Sequence, residues 1–159
     1  MKNIKLEINM QLCALNELST EEQMLINLAK KATLNSYAKY SHFNVGAALL
    51  LQDGSTVIGA NQENAAFPSG LCAERSAIFA AQSQSPEKAI AKIAIAARNV
   101  NGFMSEPISP CGACRQVMLE MEDRYQRDIC ILLYGTNGTL RINSVKDLLP
   151  LIFVDSNMR

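Results

Sequence analysis

Ile4, Leu6, Ile8 and Met10 alternate with Lys5, Glu7 and Asn9, which is the two-residue period of a strand with one face in solvent. The period then changes. Leu25, Leu28, Ala29 and Ala32 recur at helical spacing and predict a helix running to about Asn35. Ser19 or Thr20 caps it, with Glu22 or Gln23 three residues on as the capping-box partner. Residues 43–51 are an apolar run, and Asp53-Gly54 is a hairpin signal that returns the chain into a second strand over residues 56–60.

A loop containing Pro68 and Gly70 leads to a helix from about Cys72 to Ser83. Residues 92–98 read as a buried strand. Pro110 opens the next helix, which reaches about Tyr125, because its missing N–H would be unpaired there anyway. Residues 129–134 form another buried strand, Asn137-Gly138 turns the chain into a short strand at residues 140–142, and Ser144 caps a last helix ending near Pro150. Helices alternating with apolar strands predict an α/β layered fold with a mixed sheet.

A chain of 159 residues suits one domain with a real core. The expected division is an N-terminal extension over 1–18, one domain over 19–153 and a tail over 154–159. Fifteen basic and fifteen acidic residues cancel, which argues against a nucleic acid polymer gripped through its phosphates. No apolar run approaches membrane-spanning length, so no membrane partner is expected. The N-terminus lacks a signal-peptide core, so the protein is expected to be cytoplasmic. Five cysteines in that compartment stay reduced and are not a disulfide framework.

Two strings carry chemistry: Cys72-Ala73-Glu74 and Pro110-Cys111-Gly112-Ala113-Cys114. Both fall at expected helix starts, where free N–H groups and the helix dipole favour thiolate. Cys111 and Cys114, three apart, share a face of the first turn. A catalytic zinc takes three protein ligands and leaves a fourth position for water. Three cysteines with a non-ligand glutamate form a pattern found in zinc nucleobase deaminases. Spacing alone does not turn Glu74 toward the metal, since residues two apart on a helix point to different sides. Two other chemistries fit parts of the pattern. Cys111 and Cys114 could be a redox dithiol, or the three cysteines could hold a structural zinc with His42 or Cys130 as the fourth ligand. His42 is otherwise expected to be structural, and Cys13 and Cys130 to be buried, unreactive thiols.

The stretch from about Ala38 to Gln116 resembles the cytidine deaminases. The strings that carry the resemblance are Tyr40-Ser41-His42-Phe43, Val45-Gly46-Ala47-Ala48-Leu49, Asn61-Gln62-Glu63-Asn64-Ala65, Gly70-Leu71-Cys72-Ala73-Glu74-Arg75 and Pro110-Cys111-Gly112-Ala113-Cys114-Arg115-Gln116. Leu148-Leu149-Pro150 and Phe153 extend it. The three-cysteine set looks like the short-chain, homotetrameric nucleoside branch. That resemblance implies a three-layer α/β/α fold with a mixed five-stranded sheet, one Zn²⁺ per chain on Cys72, Cys111 and Cys114, and Glu74 as the catalytic group. It implies hydrolysis of cytidine and deoxycytidine to uridine and deoxyuridine with release of ammonia, in pyrimidine salvage. Zinc-held hydroxide would attack C4 while Glu74 shuttles protons. Asn61 and Glu63 would hold the ribose hydroxyls, Phe43 would stack near the base, and the backbone at Ala65 and Ala73 would hydrogen-bond it. Phe67 would line a neighbouring subunit's pocket and Phe153 would close the pocket. Arg75 would support the cysteine sulfurs, and the sites would lie at subunit interfaces. A related alternative keeps the chemistry and changes the substrate to another aminopyrimidine. Lys39 replaces a proline common in the family, and the tail lacks the usual Gly-Pro after its phenylalanine.

Overall fold

A computed structural model describes all of residues 1–159. The first regular element is a short strand, β1 (Met10–Cys13). It begins where the expected N-terminal strand ends, so residues 4–9 lie outside it. The alternation there is real, but neighbouring backbone begins only at Met10, which pairs with Ile142.

Helix α1 (Thr20–Ala32) starts as the sequence indicates. Ser19 is its cap, the Ser19 hydroxyl accepts from the Glu22 N–H, and the Glu22 carboxylate accepts from the Ser19 N–H. The expected helix to Asn35 ends earlier, with one 3₁₀ turn over Thr33–Asn35. A hairpin follows, β2 (Asn44–Leu51) and β3 (Thr56–Ala60), antiparallel. Its turn uses Gly54 at φ +85°, a conformation open to glycine because it has no Cβ.

The remaining elements are α2 (Ala73–Gln84), β4 (Ile90–Asn99), β5 (Gly102–Phe103), α3 (Gly112–Tyr125), β6 (Cys130–Gly135) and β7 (Gly138–Ile142). The sheet runs β1-β7-β6-β4-β2-β3, with β5 paired to β4. It has seven strands rather than five: β1 adds to one edge, and two-residue β5 caps the end of β4. The sheet is mixed, since β4 and β6 are parallel and the other pairs antiparallel. The Asn137-Gly138 turn makes β6 and β7 antiparallel, as the sequence indicates.

Three layers follow from alternation along the strands. Ala47, Leu49, Ile93, Ile95, Ile131 and Leu133 pack with Ala77 and Ile78 of α2 and Met118 and Leu119 of α3. The intervening residues, Ala48, Leu50, Ala94, Ala96 and Leu132, pack with Leu25, Ile26 and Ala29 of α1 on the other face. Two glycines set how closely helices approach. A Cβ at Gly46 would fall 2.1 Å from the Ala29 carbonyl, and one at Gly59 would fall 2.4 Å from the Ala77 nitrogen. The second contact holds the N-terminal half of α2 against β3, beside the strand end that carries Asn61.

The end of the chain differs from expectation. Ser144 does act as a cap, accepting from the Lys146 N–H, but the element it caps is a single 3₁₀ turn, Val145–Leu148. Pro150 stops it, because the residue before proline avoids the helical region.

Candidate metal centre and adjoining cavity

Cys72 is the N-cap of α2 and Cys111 the N-cap of α3. Pro110 therefore precedes the cap instead of opening the helix. Cys114 lies in the first turn of α3 and is fully buried. Neither capping cysteine makes a side-chain cap bond, so each sulfur stands at a helix end whose first N–H groups have no intrahelical partner.

The two helix starts bring the three sulfurs together. Cys72 Sγ and Cys111 Sγ are 3.8 Å apart, Cys111 Sγ and Cys114 Sγ are 3.5 Å apart, and all three lie within 4.8 Å of one another. Tetrahedral zinc with Zn–S bonds of about 2.3 Å requires sulfurs about 3.8 Å apart. The donor set and its spacing therefore fit zinc. His42 and Cys130, the two spare candidates for a fourth protein ligand, are not part of this cluster. His42 sits in a left-handed turn at φ +55° with its N–H bonded to the Ala38 carbonyl. Cys13 and Cys130 are only half-buried, less enclosed than expected.

The electrostatics are those of a site that gathers negative charge. Cys72 is held well below the usual thiol range, first by the hydrogen bond from the Cys114 thiol and, against the effect of burial, by the Arg75 guanidinium. Arg75 Nη2 lies 3.5 Å from Cys72 Sγ. Cys114, the donor, is pushed up in turn by that bond and by burial. Glu74 is 4% exposed, and burial pushes its carboxyl up; its own N–H pulls down, Cys72 pushes it up further and the Cys114 thiol pulls down. Glu74 lies buried in the first turn of α2, two residues after Cys72, so its carboxyl belongs to the same helix start as the Cys72 sulfur.

A cavity of about 560 Å³ adjoins the cluster, and Cys72 forms part of its wall. Asn61, Glu63 and Phe67 line it, together with Tyr40, Ser41, Gln62, Asn64, Gly70 and Leu71. Tyr40 packs edge-on against Phe67 at 5.8 Å between ring centroids. Asn61 ties the start of β2 to the end of β3: its Oδ1 accepts from the Ser36 hydroxyl at 2.5 Å and the Val45 N–H at 2.8 Å, and its Nδ2 donates to the Phe43 carbonyl at 2.9 Å. Glu63 accepts from the Tyr40 N–H at 2.6 Å. The Ser41 hydroxyl and then that N–H hold its carboxyl below the usual range.

Phe43, Ala65, Ala73 and Phe153 do not line this cavity within one chain. Phe43 immediately precedes β2, Ala65 is exposed, Ala73 is buried as the first residue of α2, and Phe153 is 57% exposed. The Phe153 carbonyl accepts from Gln116 Nε2 at 2.9 Å, which draws the tail across α3. Arg115 was not singled out by sequence reasoning, yet it bonds the Pro110 carbonyl at 2.9 Å and the Leu148 carbonyl at 2.8 Å. It fixes the loop that delivers Cys111. The seven-residue string from Pro110 to Gln116 is its only signal in the sequence. Tyr40 and Gln62 were likewise visible only as members of matching strings.

Fold and site together define a zinc-dependent enzyme: an α/β layered domain with three thiols and one buried carboxyl on paired helix starts. Residues 19–132 match the family model described as the cytidine and deoxycytidylate deaminase zinc-binding region. The cytidine deaminase of Halalkalibacterium halodurans is 41% identical over 138 residues, covering 87% of this chain and 98% of that protein. The cytidine deaminase of Sporosarcina psychrophila is 40% identical over 130 residues, covering 80% and 88%. The crystal structure of cytidine deaminase from Burkholderia pseudomallei superposes with a TM-score of 0.70 at 40% identity, over 82% of this chain and 97% of that one. That of Mycobacterium tuberculosis gives 0.66 at 29% identity, over 86% and 99%. The chain belongs to the cytidine and deoxycytidylate deaminase family.

Proposed function

We propose that the protein hydrolyses cytidine and deoxycytidine to uridine and deoxyuridine, releasing ammonia, and that it does so in pyrimidine salvage. The observation that carries this reading is the double position of Cys72, which belongs to the metal cluster and to the wall of the cavity lined by Asn61 and Glu63. A small molecule in that cavity reaches the metal site. The volume lies within the 300–1,000 Å³ range common for small-ligand pockets, roughly.

Cys72, Cys111 and Cys114 would hold one zinc per chain, and zinc when bound supplies the Lewis acid that makes water nucleophilic near neutral pH. Glu74 does the proton work. Its buried carboxylate takes a proton from the attacking water, gives it to the ring nitrogen N3, and then moves a proton to the departing amine as the C4–N bond breaks. Burial raises this carboxyl, which makes it a better proton acceptor than a solvated one. Arg75 spreads charge off the thiolates.

Asn61 retains one N–H of its carboxamide for a ribose oxygen, and the ionised Glu63 accepts from a ribose hydroxyl. Phe43 would stack near the base, with the backbone at Ala65 and Ala73 bonding it. A chain with no net charge suits an uncharged nucleoside. Exposed Phe67, which lines this chain's own cavity, would also reach a neighbouring subunit's pocket in a homotetramer, and exposed Phe153 would close the pocket from the C-terminus. Residues 19–153 would be the deaminase domain, with 1–18 and 154–159 as additions at its ends. No helix is long and apolar enough to cross a membrane, and a cytoplasmic location is part of the proposal.

The test is direct. Purified protein is mixed with cytidine and the loss of the amino group is followed by ultraviolet absorbance, with Glu74→Ala as the control. Conversion by the wild type, and a loss of roughly 10²–10⁴-fold or more in a variant that retains zinc, are the expected results. A zinc-loaded wild type that leaves cytidine intact would sink the reading.

A further inference from the structure

The segment before β1 is the part of the chain that the metal centre and cavity leave unexplained. It precedes the family match, which begins at residue 19. Its apolar residues keep the period of two into β1: Ile4 is 81% exposed, Leu6 57%, Ile8 47% and Leu12 66%. β1 is the last strand of the sheet and pairs with β7 alone, so its outer hydrogen-bonding edge is open. Lys5 and Glu7 alternate with these residues and pair with each other, Nζ and Oε1 2.9 Å apart, as side chains two apart can on one face of an extended segment.

We infer that residues 3–9 form an antiparallel strand pair with the same segment of a second copy of this chain, centred on Leu6. The sequence is self-complementary in that register. Leu6 faces Leu6, Ile4 faces Ile8, Asn3 faces Asn9, and Lys5 of each copy faces Glu7 of the other. Apolar side chains then share one face and opposite charges meet on the other. The neighbouring registers are penalised. A slip of two in one direction sets Lys5 against Lys5, and in the other sets Glu7 against Glu7. A slip of one puts apolar residues opposite polar ones. The match to itself, with both two-residue slips rejected by like charges, is what favours a second copy over an unrelated strand. The inference concerns assembly and does not rest on the deaminase reading.

Disulfide trapping of the zinc-loaded full chain tests it. Paired residues have Cα atoms about 4.5–5.5 Å apart, within disulfide reach. Leu6→Cys is therefore expected to cross-link two chains at least about tenfold faster than Asn9→Cys, whose copies would lie about 20 Å apart. In the Leu6→Cys background, Lys5→Glu or Glu7→Lys alone is expected to slow trapping, and the two together to restore it. All these positions are exposed and outside the core, and an unchanged circular dichroism spectrum confirms that each variant is folded. Equal trapping at positions 6 and 9, or a charge swap that fails to restore it, would overturn the proposal.

Discussion

Arg75 Nη2 stands 3.5 Å from Cys72 Sγ, one turn along α2 from the residue that caps it. The helix thus supplies a thiolate and the cation that stabilises it from the same first turn. Three thiolates around zinc carry a net negative charge, which opposes ionisation of a bound water. A guanidinium hydrogen-bonded to sulfur withdraws part of that charge. Arg75→Ala is expected to lower kcat about tenfold, the effect of losing roughly one charge-assisted hydrogen bond, while zinc content measured by metal analysis stays at one per chain. Unchanged turnover would count against the role given to Arg75.

Removing the metal gives a second readout that does not depend on substrate. With zinc bound, the proposed ligands Cys72, Cys111 and Cys114 would resist thiol reagents. Chelated protein should show two more rapidly reacting thiols per chain than holoprotein in a titration with a chromogenic disulfide, Cys72 and Cys111, with fully buried Cys114 reacting more slowly. Turnover should vanish on chelation and return with zinc. If Cys72→Ser kept one zinc per chain and the same chelation response, Cys72 would be excluded from the metal.

Cys72 and Cys111 were legible in the sequence because helix starts leave marks: a proline and small residues before an apolar-periodic stretch. The hairpin at Asp53-Gly54 and the cap at Ser19 were legible for the same reason. Each depends on residues within four positions of one another. What could not be read is long-range. The close approach of α2 to β3 depends on Gly59, where a Cβ would fall 2.4 Å from the Ala77 nitrogen, and no spacing rule contains that contact. The pattern at residues 4–10 is strand-like throughout, but a strand needs a partner, and β7 reaches back only to Met10. Arg115 holds a loop by reaching the Leu148 carbonyl, thirty-three residues away.

Glu63 can be tested apart from the metal. Its carboxylate lines the cavity and accepts from Tyr40 and Ser41. Gln keeps the shape and one acceptor oxygen but loses the charge, so Glu63→Gln should bind a ribose hydroxyl more weakly. The expected result is a KM for cytidine raised about tenfold with kcat reduced less, as for an interaction made in ground and transition states alike. Steady-state kinetics on the nucleoside and on the free base separate the cases. A free base lacks the sugar, and its turnover should be indifferent to the substitution.

Glu22 makes stability depend on pH. It is 5% exposed, and Oε1 receives Lys92 Nζ at 3.2 Å and Arg141 Nε at 3.1 Å, while Oε2 accepts from the Ser19 N–H at 3.0 Å. Burial alone would raise its pKa. The Ser19 N–H, Arg141 and Lys92 together outweigh burial and bring it down from 4.5 to about 2. A carboxylate whose pKa falls on folding stabilises the fold above its unfolded value, near 4.5, and loses that contribution as pH drops toward 2. The gap corresponds to about 3 kcal/mol when fully present. Glu22→Gln keeps the capping box but removes the charge. Urea denaturation should show the variant less stable than wild type by about that order at pH 7, with the difference shrinking by pH 3. Zinc leaves both proteins in acid, so the comparison between them cancels the loss of the metal. A difference that stays constant from pH 7 to pH 3 would show that Glu22 acts through packing and not through its charge.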